Sequence, residues 1–249
     1  MKKIVSIFLL VVIFNSCEKP GECIESSGPT VFKEIPVEAF KNLKIYRGIE
    51  VLITEGPIYK VEIEAGENFI DNIEVKQNGD QLVFRDNTSC NWVREYGQTK
   101  IHVTTPTLEN VYSKSDRNIS STNVLTFPIL RLIALDKEGD GEKGAGTGDF
   151  HIEVNNYQLV IQNNNVSRYY VSGQTDEALL DFYFGDGRIE AQNLIAQNIK
   201  VFHRGSNDMI VTPIQSIEGV LNSTGDLRLT TTPPIVNVQE LYQGRVIYP

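Results

Sequence analysis

From Gly146 to Pro249 the apolar and polar positions recur with a fixed period. Gly148-Asp149-Phe150-His151-Ile152, Ser167-Arg168-Tyr169-Tyr170-Val171, Gly187-Arg188-Ile189-Glu190-Ala191, Asn207-Asp208-Met209-Ile210-Val211, Gly225-Asp226-Leu227-Arg228-Leu229 and Gly244-Arg245-Val246-Ile247-Tyr248 share one plan. A small or turn-prone residue comes first, then a polar one, then an apolar–variable–apolar step. The first apolar residues are 150, 169, 189, 209, 227 and 246, separated by 19, 20, 20, 18 and 19. A looser series runs between them: Leu159/Ile161, Leu180/Phe182, Ile199/Val201, Val220 and Val236/Val238. Alternation of period two predicts strands, and Gly or Asn ahead of each predicts a turn. A repeat near 20 residues built from two short alternating segments predicts a solenoid. One coil cannot bury its apolar face alone. Stacking would set the six apolar residues in one column with strands about 4.8 Å apart, and Gly, Asn, Asp and Ser would fill the corners. An antiparallel meander also alternates, but hairpin spacing is rarely this regular over so many units. The predicted fold class is therefore all-β: a single-stranded, right-handed, parallel β-helix-like solenoid of about 20 residues per coil, preceded by an N-terminal β-rich portion.

The segments before the repeat alternate as well. Leu43 to Ile53 predicts one or two strands bent at Gly48, Gly56-Pro57 a turn, and Lys60 to Glu64 a strand. Ile73 to Lys76 and Leu82 to Arg85, joined by Asn78-Gly79-Asp80, predict a hairpin. Lys100 to Thr104 predicts another strand, ended by Pro106. Leu108 to Tyr112, Ser115 to Ile119 and Leu130 to Leu135 bring the chain into the repeat register. No stretch carries a sustained 3.6-residue apolar stripe, so very little helix is expected.

The first 17 residues have a different pattern. Lys2 and Lys3 precede an apolar run from Ile4 to Phe14, and Asn15-Ser16-Cys17 ends it. The run is too short to span a bilayer and reads as a signal peptide. A Cys after a small residue at that point resembles a bacterial lipobox, which implies cleavage before Cys17 and lipidation of its sulfur; a plain secretory signal with an incidental Cys is the alternative. Several acyl chains make a stable membrane anchor where one is marginal. The expected organisation is a leader over 1–16, a lipidated Cys17 with a polar tether over 17–32, the β-rich portion over 33–105 and the repeat over 106–249. The formal charge is −9, or −11 without Lys2 and Lys3. An acidic chain with no basic cluster argues against nucleic acid as a partner. With Cys17 acylated, Cys23 and Cys90 remain as a candidate disulfide pair outside the cytoplasm, the alternative being two free thiols. No cysteine–histidine spacing points to zinc, and no cofactor is implied.

The order Phe40…Ile45…Gly48-Ile49-Glu50-Val51…Glu55-Gly56…Val61-Glu62-Ile63…Ile73…Val75…Asn78-Gly79-Asp80-Gln81-Leu82 resembles the head-GIN-domain family of putative auto-transporter adhesins. So does Ile101-His102-Val103-Thr104…Pro106-Thr107-Leu108, followed by recurrent Gly-x-Gly-x-apolar units. The resemblance covers about 36–249. It implies secreted or lipid-anchored β proteins of the Gram-negative envelope, a β-helix-like fold and an adhesive role, long listed as a domain of unknown function. The family supplies no catalytic residues to carry over. Gly146-Thr147-Gly148 and Gly185-Asp186-Gly187 match its turns, whereas Ser115-Asp116-Arg117-Asn118 and Asn163-Asn164-Asn165 depart from them.

Candidate chemistry is sparse. The acidic, Gly-rich stretch from Asp136 to Gly144 is an insertion relative to the repeat and reads as a solvated loop. Its carboxylates suit Ca²⁺, but the calcium-repeat and EF-hand spacings are absent, so no metal is assigned. His102, His151 and His203 fall at outward or variable strand positions, with no nucleophile pattern nearby. Arg168, Arg188, Arg204, Arg228 and Arg245 approach a ladder that would suit a glycan or a carboxylate, or would simply keep the sheet solvated. Alternation sends Tyr169 inward and Tyr170 outward, and sets Tyr183 opposite Phe182 and Phe184. Tyr170, Tyr183 and Arg188 are therefore the candidate ligand face; Trp92 lies beside Cys90. The functional expectation is a non-catalytic cell-envelope lipoprotein, outer-membrane and periplasmic or surface-exposed, serving adhesion or protein interaction. The partners would be the membrane through its lipid and a surface protein or glycan. A glycan-binding or polysaccharide-active protein and a scaffold stacking through its terminal coil are the alternatives. Cys17→Ala is expected to move the protein from the membrane pellet to the soluble fraction on ultracentrifugation, and retention in the pellet would dismiss the anchor.

Overall fold

The computed structural model describes residues 26–88, 99–136 and 146–249. The leader, Cys17, Cys23, Cys90, Trp92 and the acidic stretch over 137–145 lie outside the described residues. The protein is all-β, and its strands join one 17-stranded sheet that wraps, nearly closed and barrel-like, around a continuous apolar core.

The architecture follows from how the long strands divide. β11 (Phe150–Asn163), β12 (Arg168–Phe182), β13 (Arg188–His203) and β14 (Met209–Leu221) pair in parallel along most of their length. Each has two halves that belong to different ladders. The start of β11 pairs with β9 (Ile119–Ser121), its second half with β10 (Ile129–Ala134). The start of β14 pairs with β15 (Leu227–Leu229), its second half with β16 (Ile235–Glu240), and β17 (Val246–Ile247) adds to β15.

The six apolar residues of the repeat fall into direct register: Phe150 opposite Tyr169, then Ile189, Met209, Leu227 and Val246. The second ladder aligns Val111, Leu132, Ile161, Leu180 and Val201, all buried. In-register apolar side chains exclude water from their neighbours above and below, and each one buried contributes about 1.5–3 kcal/mol. Phe150 and Tyr169 stack at 4.8 Å between centroids with 7° between planes. Corner polar groups are satisfied locally. Ser167 Oγ donates to the Gly146 carbonyl at 2.6 Å, Ser115 Oγ to Ile49 at 2.7 Å, and Asn163 Nδ2 to Asn165 at 3.0 Å.

The N-terminal part is built into the same ladders. β2 (Asn42–Ile45) and β3 (Glu50–Glu55) lie between β6 (Gln81–Asp86) with β7 (Lys100–Thr105) on one side and β8 (Asn110–Ser113) with β9 on the other, all in parallel. The apolar column therefore continues from Phe150 to Ile119, Val51 and Ile101. No break in either ladder coincides with residue 106. The far end is closed by antiparallel strands: β5 (Ile73–Asn78) on β6, and β4 (Lys60–Gly66) on β7, with β1 (Thr30–Ile35) outermost. β1 begins inside the stretch expected to be tether. The β5–β6 turn is the expected hairpin, with Asn78 opposite Gln81 and Gly79 at φ +60°.

Charged side chains on the outer face cross-link neighbouring strands. Arg228 Nε donates to Asp208 Oδ2 at 2.6 Å, and Arg188 Nη1 lies 3.6 Å from the same oxygen. Burial works against the Asp208 charge, but the Arg228 hydrogen bond, the Asp226 N–H and the two guanidinium charges outweigh it, leaving its carboxyl below the ordinary range. A carboxyl depressed by folding stabilises above its unfolded pKa and loses that contribution as pH falls through its folded value.

Two measurements check this fold. Ile189→Asp, at a position with no exposure, is expected to cost roughly 3 kcal/mol or more, enough to lose the cooperative thermal transition; wild-type melting would overturn the register. Asp208→Asn is expected to lower Tm by about 2–4 °C at pH 7, with the difference from wild type beginning to shrink at about pH 4, where the unfolded-state carboxyl protonates, and vanishing at lower pH as the native carboxyl protonates.

Candidate functional site

The outward side chains stack in columns as regularly as the inward ones. On β9, β11, β12 and β13 the register places Ser120, His151, Tyr170 and Glu190 side by side. The His151 and Tyr170 rings stack at 4.7 Å with 9° between planes. This two-ring block stands on the surface, with a small residue on one flank and a carboxylate on the other.

Next to it the β13 strand bulges. Tyr170 pairs with Glu190 but Ser172 pairs with Asn193, so β13 carries one extra residue there, and its register to β14 shifts again between Ala191 and Ile195. Alternation fails locally, and Gln192 and Asn193 are both exposed. A bulge re-aims side chains in this way and bends the strand. The result is a groove of about 340 Å³ whose walls carry His151, Glu153, Tyr170, Ser172, Glu190, Gln192 and Asn193. Ser121 Oγ accepts the Glu153 N–H at 2.9 Å, holding that wall to β9.

A second groove, of about 510 Å³, continues on the same strands two residues further along. It is lined by Asn155, Tyr157, Gln174, Asp176 and Gln197 among others. Between the two, Gly173 has φ +100°, and a Cβ there would lie 2.0 Å from the Val154 carbonyl oxygen. Only glycine allows β12 to cross β11 this closely at the bend. Thr175 Oγ1 then bonds the Tyr157 and Glu177 carbonyls, fixing the far side of the bend. The two grooves together present amide, hydroxyl and carboxylate groups and two exposed tyrosines. Among the described residues no Lys or Arg lines either one.

The three residues expected to form one ligand face are separated. Tyr170 is in the first groove. Arg188 is beside it but engaged, with Nε on Glu190 at 2.5 Å and Nη1 on Asn207 at 3.0 Å. Tyr183 lies at the end of the other ladder, where its hydroxyl accepts from Gln162 Nε2 at 3.0 Å; burial and the neighbouring Asp181 charge raise its pKa. The arginine series is largely internal cross-linking: Arg168 reaches Asp186, Arg228 reaches Asp208 and Asp226, and Arg245 reaches Glu240. His203 is not outward. It has no exposure, packs edge-on to Phe182 and bonds the Asn207 carbonyl at 2.8 Å. Burial pushes its pKa down, which suits a neutral core imidazole. Phe184, which alternation turned the same way as Phe182, is exposed because the strand ends at Phe182. His102 bonds Glu64 at 2.7 Å at the opposite end of the molecule. Among the described residues no group of three His, Cys, Asp or Glu is placed to hold a metal ion.

Glu153, Ser172, Gln192 and Asn193 were not singled out from the sequence. Their signal was present in the spacing. In the second apolar series Leu180 to Val201 spans 21 residues where Ile161 to Leu180 spans 19, and Gln192-Asn193 are adjacent polar residues where alternation calls for one.

The fold has solved counterparts. A putative adhesin from Bacteroides fragilis matches with a TM-score of 0.78 at 20% identity, covering 90% of this chain and 100% of that one. A putative adhesin from Parabacteroides distasonis matches at 0.64 and 12% identity over 90% and 99% of the two chains. A putative lipid binding protein from the same species matches at 0.61 and 15% over 88% and 97%. No curated protein sequence matches the chain. The model of one sequence family matches residues 39–233, most of the folded part, and the chain thus belongs to the family described as "Putative auto-transporter adhesin, head GIN domain".

Proposed function

We propose that the protein is a non-catalytic adhesion module of the cell envelope, anchored in the outer membrane through lipid on Cys17 and a polar tether. The groove beside the His151–Tyr170 stack makes the contact. The observation that carries this reading is the site itself: an exposed aromatic block and convergent polar side chains on a rigid sheet, with its shape set by a bulge and by Gly173. Family membership and the adhesin neighbours support it. The parallel register at offsets of 18 to 21 residues supports a solenoid winding for the repeat, and a right-handed one follows from the strong preference of parallel crossovers for that hand.

One observation favours a second reading. His151, Glu153 and Glu190 share the first groove, and converging ionisable groups are what a polysaccharide-active enzyme requires. Glu190 is held by Arg188, which suits a structural carboxylate better than a proton donor. The scaffold alternative rests on the other end of the molecule. There, among the described residues, β16 and β17 pair on one side only, and Ile235, Leu241, Tyr242 and Tyr248 are exposed.

Adherence of expressing cells to mucin-coated, fibronectin-coated and self-coated surfaces tests the leading reading. Deletion of the protein is expected to reduce adherence several-fold on at least one surface, and Tyr170→Ala to reproduce most of that loss. Equal adherence with and without the protein on all three surfaces would overturn it. Release of new reducing ends from polysaccharide by the purified protein would establish the enzymatic reading instead.

A further inference from the structure

We infer that the two grooves on β11–β13 form one extended site for a neutral, hydroxyl-rich glycan. This inference rests on the adhesive reading and names its ligand class. Three features of the site lead to it.

The first is aromatic geometry. The His151–Tyr170 stack has Glu190 as its cross-strand neighbour on the β13 side. A pyranose resting on the solvent-exposed edges of the two rings packs its C–H groups there while its hydroxyls reach the neighbouring carboxylate. An amphipathic ring of this kind favours a ligand that is apolar on one face and polar at its edge.

The second is the hydrogen-bonding inventory. Glu153, Glu190 and Asp176 accept, and Gln192, Asn193 and Gln174 both donate and accept. Vicinal hydroxyls, each both donor and acceptor, satisfy such a mixed set. An aliphatic ligand would leave it unpaired, at a cost.

The third is charge. Among the described residues the walls carry three carboxylates and no Lys or Arg, on a chain of net charge −9. Sulfated, phosphorylated or uronate-rich polymers, and anionic lipid, would be repelled. Arg188 is engaged by Glu190 and Asp208, which leaves Glu153 and Asp176 as the wall carboxylates without an ion pair among the described residues.

The site is longer than one sugar. His151 and Tyr157 are six residues apart on β11, at most roughly 20 Å along the strand. Tyr157 is 58% exposed in the second groove. The chain of the glycan would therefore run along the strands, contacting Tyr170 first and Tyr157 beyond the bend.

Affinity electrophoresis of the full chain through gels containing dextran, mannan, galactan or xylan, with dextran sulfate as the charged counterpart, tests the inference. Retardation by at least one neutral polymer and none by dextran sulfate is expected. Tyr170→Ala is expected to weaken binding about tenfold, and Tyr170→Phe to keep it within about threefold, since the ring and not the hydroxyl makes the contact. Tyr157→Ala is expected to weaken binding of the polymer but not of the corresponding disaccharide. Thermal melting of each variant confirms that the fold is intact. No retardation by any of the four neutral polymers, stronger retardation by dextran sulfate, or wild-type binding by a folded Tyr170→Ala variant would each overturn the inference. Should Tyr170→Ala abolish cell adherence while no neutral polymer binds, the adhesive reading stands and the ligand class named here falls. Polymer binding without any effect of the protein on adherence would do the reverse.

Discussion

A single strand of this chain cannot keep its apolar side chains from water. It does so only when the residues of the strands on either side sit directly against them. That requirement for register between successive parallel strands is what the rest of the structure depends on. It aligns Phe150, Tyr169, Ile189, Met209, Leu227 and Val246. It also extends the same column back through Ile119, Val51 and Ile101. Corner residues serve the same end. Ser115, Asn163 and Ser167 bond backbone carbonyls where the chain turns, so burial of the corners leaves few polar groups unpaired.

Register acts on the outer surface too. When inward residues are aligned, outward ones are aligned with them, and side chains about twenty positions apart become neighbours. That is how His151 and Tyr170 come to stack, and how Glu153 and Ser172 come to face one groove. A perfectly regular ladder would give a flat wall. The extra residue in β13 breaks the regularity, exposes Gln192 and Asn193 together, and turns part of that wall into a concave site. The site is rigid because it is made from long strands and not from loops, which favours recognition of an extended ligand without a large ordering cost.

The charge distribution divides the outer face into two zones. Around Asp208, arginine and carboxylate side chains neutralise one another across neighbouring strands. Around Tyr170 and Tyr157, carboxylates and amides stand without basic partners in the groove walls. The first zone holds strands together, and its Arg188 also engages Glu190 at the edge of the second. The second keeps the acidic character that limits what the grooves can accept.

Short-range information in the sequence was enough for the strands, their inward faces, the β5–β6 hairpin and the column of the repeat, because period-two alternation and turn residues are local properties. Tyr169 is buried and Tyr170 outward for that reason alone. Other features depended on distant parts of the chain. The lodging of β2 and β3 between β6–β7 and β8–β9 brings together segments up to about seventy residues apart, and no periodicity encodes which neighbour a strand will choose. His203, by contrast, is inward by the same alternation, two residues after Val201 and in register with Phe182, and was legible although an outward position was expected. The separation of Tyr183 from Tyr170 was hidden: both are aromatic and outward by alternation, but they lie on different ladders. The sequence by itself thus determined what each strand of the chain is and which side of it is buried. Only the tertiary structure decided which strands are neighbours, and so where a bulge, a two-ring stack and acidic side chains would meet, because proximity across strands is a property of the whole sheet.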